Sequence, residues 1–139
     1  MAHTLNVYYE KQHTADPVVV TTPEDIRDLF AAVRAKYPAG TALLMTVVPA
    51  DYPWASELTV GIDGDKGVLR YAGQDSPPTG CFSKSAEPSN TEPVIYYFVT
   101  ADNEFPPCAE IPVTDLETAL IDYMTTGQRP ETIEWQTIR

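Results

Sequence analysis

The chain has 139 residues, of which 43% are hydrophobic and 21% charged, values typical of one folded globular domain spanning residues 1–139. Twenty acidic residues against nine basic ones give a net charge of −11, and such a field repels nucleic acids and anionic membranes while it attracts basic proteins. The acidity therefore either serves solubility alone or indicates a basic protein partner.

The N-terminus lacks the basic region and the apolar run that make a secretory signal, and no apolar segment approaches the ~18 residues that span a bilayer. These observations predict a cytoplasmic protein without membrane contact. The two cysteines, Cys81 and Cys108, are too few for a disulfide framework or a zinc ribbon. We expect two free thiols, no bound metal and no cofactor.

The first third of the chain predicts two strands and a helix. Strands are indicated over residues 5–9 and 18–21 by apolar and β-branched residues. Thr22 is a favourable N-cap, Pro23 suits the first helical position, and apolar residues then recur at helical spacing. The helix should end before Pro38.

Three strands are predicted next. Residues 42–48 are nearly all apolar, which indicates a central strand covered on both faces. Residues 57–62 and 68–72 form a hairpin around "GIDGDKG". This motif lacks the oxygen ligands of a calcium loop at the required spacing, and its glycines open a strand, unlike those of a phosphate loop. It is therefore predicted to be a tight turn.

The second half is predicted to be rich in stiff loops. Residues 74–92 form a long polar surface loop, 93–99 a second buried strand, and 102–112 a proline-rich loop. Helix 2 begins at a Thr114 cap with Glu117 completing a capping box, and ends at Gly127. A strand over 132–136 closes the fold. The predicted class is α+β, an antiparallel β-sheet with two α-helices packed on it.

Aromatic residues in the strands are predicted to be core, and no catalytic constellation is apparent. Tyr96, Tyr97 and Phe98 belong to the strand over 93–99, and Trp135 should pack in the sheet. There is no G-x-S-x-G motif and no histidine near either cysteine in sequence. The sequence thus predicts a protein that is not an enzyme.

Three segments carry a family resemblance. "ELTVGIDGDKGVLRYAG", "PVIYYFV" and "FPPCAEIPVTDLETALIDYMTTGQRPETIEWQ" resemble a family of bacterial immunity proteins that accompany polymorphic toxins, often of the nucleic-acid deaminase superfamily. The resemblance spans residues 57–136. Its strongest points are Gly61, Asp63 and Gly67, the "EIPV" before the second helix, and "TGQRP" running into Glu134 and Trp135. Residues 74–92 depart from the shared pattern, as a specificity loop would.

The resemblance implies inhibition of a toxin by binding. A nuclease or deaminase toxin carries a basic groove for phosphates, toward which an acidic partner is steered. The expected partner is therefore a basic cognate toxin domain, with no direct nucleic-acid contact and an oligomeric state left open. A small-ligand-binding or regulatory module is the alternative, and an enzyme subunit the weaker one.

A meander of strands from Ala42 would group the segments 49–57 and 74–92 at one edge of the sheet. Loop tryptophans such as Trp54 either anchor interfaces or fold back on the core. Since aromatic anchors with polar surroundings favour binding, the predicted toxin-binding residues are Asp51, Tyr52, Trp54, Glu57, Asp75, Phe82, Glu87 and Glu92. The alternative set at the opposite edge is Asp63, Asp65, Asp102, Glu104, Phe105 and Glu110.

Overall fold

The fold was obtained as a computed structural model, which describes residues 3–53, 55–73, 80–86, 90–99 and 101–137. Its helices are α1 (Pro23–Lys36) and α2 (Val113–Thr126), with a short 3-10 helix at Lys11–Thr14. The ten strands in the described residues are β1 (Leu5–Tyr8), β2 (Val18–Val20), β3 (Leu43–Pro49), β4 (Ser56–Asp63), β5 (Lys66–Gly73), β6 (Cys81–Lys84), β7 (Val94–Phe98), β8 (Ala101–Phe105), β9 (Ile111–Pro112) and β10 (Glu134–Gln136).

One sheet organises the molecule. Its main path runs in the order β10-β6-β5-β4-β3-β1-β2, and every pair along it is antiparallel. The hairpin of β7 and β8 joins this sheet at a single parallel bridge, Leu43 to Tyr97, and β9 pairs with the start of β5. The predicted α+β class, an antiparallel sheet with two helices, is confirmed.

Both helices pack on the same face of the sheet. Alternate residues of β3 and β4 point to this face, and they form one buried cluster with Leu29 and Phe30 of α1 and Leu116 and Leu120 of α2. Because successive side chains of a strand point to opposite faces, the intervening residues face away from the helices. β3 is buried on both faces, as its apolar run predicts.

The start of α1 follows the sequence prediction. Thr22 Oγ1 accepts a hydrogen bond from the Asp25 backbone N–H at 3.1 Å, and the Asp25 carboxylate accepts one from the Thr22 N–H at 3.2 Å. This reciprocal pair is a capping box, and Pro23 occupies the first turn. These bonds satisfy backbone donors that have no partner within the helix.

The predicted start of the second helix is wrong. α2 begins at Val113, the cap position is Pro112, and no side chain caps it. The Val113 N–H donates instead to the Asp65 carbonyl at 2.9 Å, in the turn between β4 and β5. A tertiary contact has thus replaced the local cap at Thr114. Gly127 does end the helix, with a positive φ of 71° that glycine adopts without steric cost.

The β4–β5 hairpin has close backbone approaches that require glycine. Gly64, with a φ of 68°, occupies the first of its two turn positions. A Cβ on Gly67 would come within 1.9 Å of the Gly61 carbonyl oxygen, and one on Gly61 would come within 2.6 Å of the Tyr96 ring. The glycines of "GIDGDKG" are therefore explained by the turn conformation at Gly64 and by close packing at Gly61 and Gly67.

The predicted loops at 74–92 and 102–112 are only partly correct, since each contains strand residues. The first contains β6, whose residues Cys81, Phe82 and Ser83 are buried. The Ser83 hydroxyl accepts from the Leu69 N–H at 2.9 Å and donates to the Ala109 carbonyl at 2.6 Å. The second contains β8 and β9. Consequently β6, and not the strand at 93–99, is the neighbour of β5 in the meander.

The strand at 93–99 is also not fully buried, contrary to prediction. β7 is covered on one face only: Tyr96 is 1% exposed, whereas Ile95 and Tyr97 are each 45% exposed. The prediction of Tyr97 as a core residue is therefore wrong. Trp135 packs against the helix-side core, as expected, and its indole N–H donates to the Pro130 carbonyl at 2.7 Å.

Candidate partner-binding surface

The sheet face opposite the helices is partly covered by the β7–β8 hairpin. A second buried cluster fills the space between them, in which Tyr96 and Phe105 from the hairpin meet Leu44, Val68 and Phe82 from the sheet. The Phe105 ring lies edge-to-face with both Tyr96 and Phe82, with centroids 5.8 and 5.7 Å apart. Such aromatic pairs add stabilisation beyond the area that they bury, so the hairpin is held as a second layer.

A buried carboxylate fastens this hairpin to the rest of the fold. Glu110 is 6% exposed, and its Oε2 accepts a hydrogen bond from the Tyr96 hydroxyl at 2.7 Å. Its Oε1 accepts from the Asn90 side-chain amide at 2.7 Å and lies 3.5 Å from the Lys66 ammonium. Burial and then the bond to Glu110 raise the pKa of Tyr96, so this tyrosine stays protonated and remains a donor.

A groove lies between the hairpin and the uncovered part of the sheet. Its volume is about 530 Å³. Thr46, Thr59 and Arg70 lie side by side across the sheet in the groove lining, and Asn103 and Glu104 contribute from the hairpin. The Arg70 guanidinium lies 5.9 Å from the centroid of the Phe82 ring. The groove is therefore mixed in charge, with a polar floor.

The outer face of the hairpin exposes large apolar side chains. Among the described residues, five large hydrophobic side chains are exposed, and three of them are Ile95, Tyr97 and Val99, at 45% each. Ile95 lies opposite Glu104 and Tyr97 opposite Asp102 in the β7–β8 register. Neither carboxylate belongs to an ion pair within the described part of the chain.

The tip of the hairpin has an unusual backbone. Val99 follows β7 directly and has a φ of 57°. This left-handed conformation is an outlier for a β-branched residue and is normally given to glycine, asparagine or aspartate. Backbone strain of this kind concentrates at binding and catalytic sites.

The described members of the predicted toxin-binding set differ in their exposure. Asp51, Tyr52 and Glu92 are exposed, Glu57 lines the groove, and Phe82 is buried under the hairpin. Trp54, Asp75 and Glu87 lie outside the described residues. The prediction for this edge therefore stays a prediction for its exposed members, whereas burial leaves little of Phe82 for a partner to touch.

The alternative set divides in the same way. Asp65, Asp102 and Glu104 are exposed, while Phe105 and Glu110 are buried. Asp63 is half-buried, and its Oδ1 accepts from the Gly40 N–H at 2.6 Å. The groove brings Glu57 and Phe82 of the first set together with Glu104 and Phe105 of the second, so the two predicted edges meet there.

Sequence reasoning missed the exposed apolar side chains of the hairpin, although Asp102 and Glu104 were in the alternative set. The run "VIYYFV" predicts a strand buried on both faces, whereas the structure covers only Val94, Tyr96 and Phe98. A signal was present, since residues 102–104 are polar in "ADNEF". A strand paired with such a partner has one solvated face, which would have indicated exposure of Ile95 and Tyr97.

Other kinds of site find little support among the described residues. No group of three metal-binding side chains occurs there. His13 is buried, and its Nδ1 accepts backbone hydrogen bonds from Tyr9 and Glu10 at 3.1 and 2.9 Å, which is a structural role. Cys81 and Cys108 are free thiols. Over the described residues, neither helix has the length and apolar character needed to cross a membrane.

The exposed surface suits recognition of another macromolecule. Its apolar side chains lie beside carboxylates that form no ion pair with the described residues, on a hairpin packed along its inner side. Comparison with known families identifies the class. The family model for immunity protein Imm1 matches residues 14–137. The chain therefore belongs to the Imm1 family of immunity proteins, and an immunity function follows from this membership. No curated protein matches the chain.

Proposed function

We propose that this immunity protein binds a cognate toxin domain and holds it inactive in the cytoplasm of the producing cell. The observation that carries the proposal is the family match over residues 14–137. Inhibition is by protein–protein contact and involves no catalysis, cofactor or metal. Inhibition by contact agrees with the outer surface of the β7–β8 hairpin, where apolar side chains are bordered by carboxylates. Protein interfaces combine apolar anchors with a polar rim in this way.

The proposed toxin is a basic domain that acts on nucleic acid, of the deaminase type. The family resemblance of the sequence supports this choice, and so does charge. An enzyme that holds phosphates needs a basic surface, and a partner of net charge −11 is attracted to it. The same charge disfavours direct contact of the immunity protein with nucleic acid or anionic lipid.

Co-expression tests this function. The toxin domain encoded beside this chain should stop growth of a host cell, and the wild-type chain should restore growth and co-purify with the toxin. A Gly67→Val variant is the matched control, because a Cβ at this position meets the Gly61 carbonyl oxygen at 1.9 Å and prevents correct packing. Absence of both rescue and co-purification by the folded wild-type chain would overturn the proposal.

A small-ligand site in the groove is the second candidate function. The volume of about 530 Å³ lies in the range of roughly 300–1,000 Å³ that is usual for ligand pockets. If the groove binds a metabolite, Thr59→Leu should abolish ligand-induced thermal stabilisation and leave toxin rescue intact. Thermal-shift measurements with a metabolite library separate the two functions. If the groove has no ligand, no metabolite should raise the melting temperature of the protein.

A further inference from the structure

We propose that the toxin docks on the outer face and tip of the β7–β8 hairpin, with Ile95, Tyr97 and Val99 as the apolar anchors and Asp102 and Glu104 as the acidic rim. The inference rests on the proposed function and deepens it. It assigns the contact to the exposed side of "PVIYYFV" together with two acidic residues of the alternative predicted set. It specifies the partner as a toxin surface with an apolar depression bordered by Lys or Arg.

Solvent exposure is the first support for this assignment. Each of the three apolar side chains is 45% exposed, and Ile95 and Tyr97 project from the same side of β7, because Tyr96 between them is buried. Tyrosine is among the residues that most often dominate binding energy, because it offers a large amphipathic surface with few rotatable bonds.

Rigidity is the second support. The inner side of the hairpin is fixed by Tyr96 and Phe105 in the buried cluster and by the bond from Tyr96 to Glu110. A preorganised surface loses less conformational entropy when a partner binds. The anchors are therefore presented on an element that is supported from its inner side.

The third support is the backbone of Val99. A valine with φ of 57° is less favourable for the free protein than asparagine or glycine would be. The valine side chain is itself 45% exposed, so the fold gains little from burying it. A contact made only in the complex accounts for keeping this residue at the tip.

Charge identifies the occupant as a basic toxin and argues against a second copy of this chain. Asp102 and Glu104 are exposed on β8, which pairs only with β7 within the described residues. Two such strands brought edge to edge would place like charges together, in molecules that each carry −11, and acidic edges oppose self-association. Lys or Arg at the rim of the toxin would instead compensate both carboxylates.

The decisive experiment measures binding of a catalytically inactive form of the adjacently encoded toxin domain by surface plasmon resonance. Tyr97→Ala should weaken binding by about 30-fold or more, as expected for a central aromatic anchor. Asp102→Lys combined with Glu104→Lys should slow association by about 10-fold at low salt. The matched control is Val19→Ala on β2, which shortens an apolar side chain that is 55% exposed away from the hairpin and should leave affinity unchanged. Tyr52→Ala tests the other predicted edge.

Val99→Asn separates a binding role from a structural one. Asparagine tolerates the left-handed conformation, so this variant should raise Tm by about 3 °C and still bind the toxin at least about 10-fold more weakly. A rise in Tm with wild-type affinity would show that Val99 is strained without contacting the toxin, and would count against the tip as part of the surface.

The outcomes distinguish this inference from the proposed function. If the wild-type chain does not bind or neutralise the toxin, the function itself fails. If the wild type binds and the folded hairpin variants bind equally well while Tyr52→Ala does not, the toxin docks at the other edge and only the hairpin assignment is overturned.

Self-association is tested by analytical ultracentrifugation of the chain alone. The protein should be a monomer at about 100 µM, a concentration at which micromolar self-association would be detected. A dimer that is disrupted by Tyr97→Ala would assign this surface to self-association.

Discussion

At the scale of single residues, the least expected feature is the buried carboxylate of Glu110. A buried charge is costly unless it is paired and hydrogen-bonded, and this one has donors from Tyr96 and Asn90 with Lys66 nearby. Glu110 was a candidate surface contact by sequence, since acidic residues are mostly exposed. Its role in the structure is to hold the β7–β8 hairpin against the sheet.

Tyr96→Phe tests this role. Removal of the hydroxyl leaves Glu110 Oε2 without its 2.7 Å donor, and the free energy of unfolding should fall by about 1–3 kcal/mol. Tyr97→Phe is the control, since that ring is 45% exposed, and it should change stability by less than about 0.5 kcal/mol. Urea unfolding of both variants measures the difference; equal stabilities would show that the Tyr96–Glu110 bond contributes nothing.

A second residue-scale prediction concerns acid stability. Glu10 accepts hydrogen bonds from the Lys36 ammonium and the Tyr37 hydroxyl, and these lower its pKa to about 2. A lowered pKa means that the unfolded state binds the proton first. The stabilisation is therefore complete above the ordinary glutamate pKa of about 4.3 and is lost as pH falls toward about 2.

Glu10→Gln should accordingly lower the free energy of unfolding at neutral pH, and the gap to the wild type should close between about pH 4.3 and about pH 2. The gap is modest, because the Lys36 side chain is 62% exposed and solvent screens the pair. Glu24→Gln is the control, since Glu24 and Arg27 form an exposed pair at 3.9 Å. A gap that is constant over this range, measured by urea titration, would contradict the prediction.

At the scale of elements, the two helices begin by different means. α1 begins with a local capping box, whereas α2 begins where its first N–H meets the Asp65 carbonyl of the β4–β5 turn. The sequence offered a threonine for each helix, but Thr114 already lies inside α2. Local chemistry was therefore sufficient for α1 and was overridden by tertiary contact at α2.

Two matched substitutions test this difference. Thr22→Ala removes the cap of α1 and should cost about 1 kcal/mol of unfolding free energy. Thr114→Ala should be neutral or slightly stabilising, because Thr114 is an exposed helical residue and alanine has the higher helix propensity. Thermal unfolding of the two variants gives the comparison. A comparable loss from Thr114→Ala would mean that this threonine caps the helix in solution.

At the scale of the whole molecule, net charge governs how the protein meets its partner. A charge of −11 acts over distances near the Debye length, about 10 Å at 0.1 M salt, and is weakened by added salt. It therefore influences the rate of encounter more than the lifetime of a complex, which depends on buried contacts such as those proposed for Tyr97.

The association rate constant with a basic toxin should fall at least about 10-fold between 20 mM and 500 mM salt, while the dissociation rate constant changes little. Stopped-flow mixing at several salt concentrations measures both constants. The double reversal of Asp102 and Glu104 to lysine should flatten this salt dependence. If association of the wild type is independent of salt, the toxin surface is not basic and that part of the proposed function is wrong.

The sequence by itself determined the features that rest on local chemistry and on family pattern. The capping box at Thr22, the end of α2 at Gly127 and the β4–β5 turn at Gly64 each need only a few neighbouring residues. The α+β class follows from the succession of these elements, and the resemblance of residues 57–136 indicated the immunity family. Each signal is strong because one residue type satisfies a backbone requirement that others do not.

Only the tertiary structure decided which faces are covered. β6 lies in a polar segment and is stabilised by pairing with β5 and β10 and by the hydrogen bonds of Ser83, which come from residues far away in sequence. β7 is apolar on both sides, yet only the side of Tyr96 is packed. Apolar composition indicates that burial of a strand would be favourable, but burial requires another element that covers the strand. The position of that element depends on the whole chain.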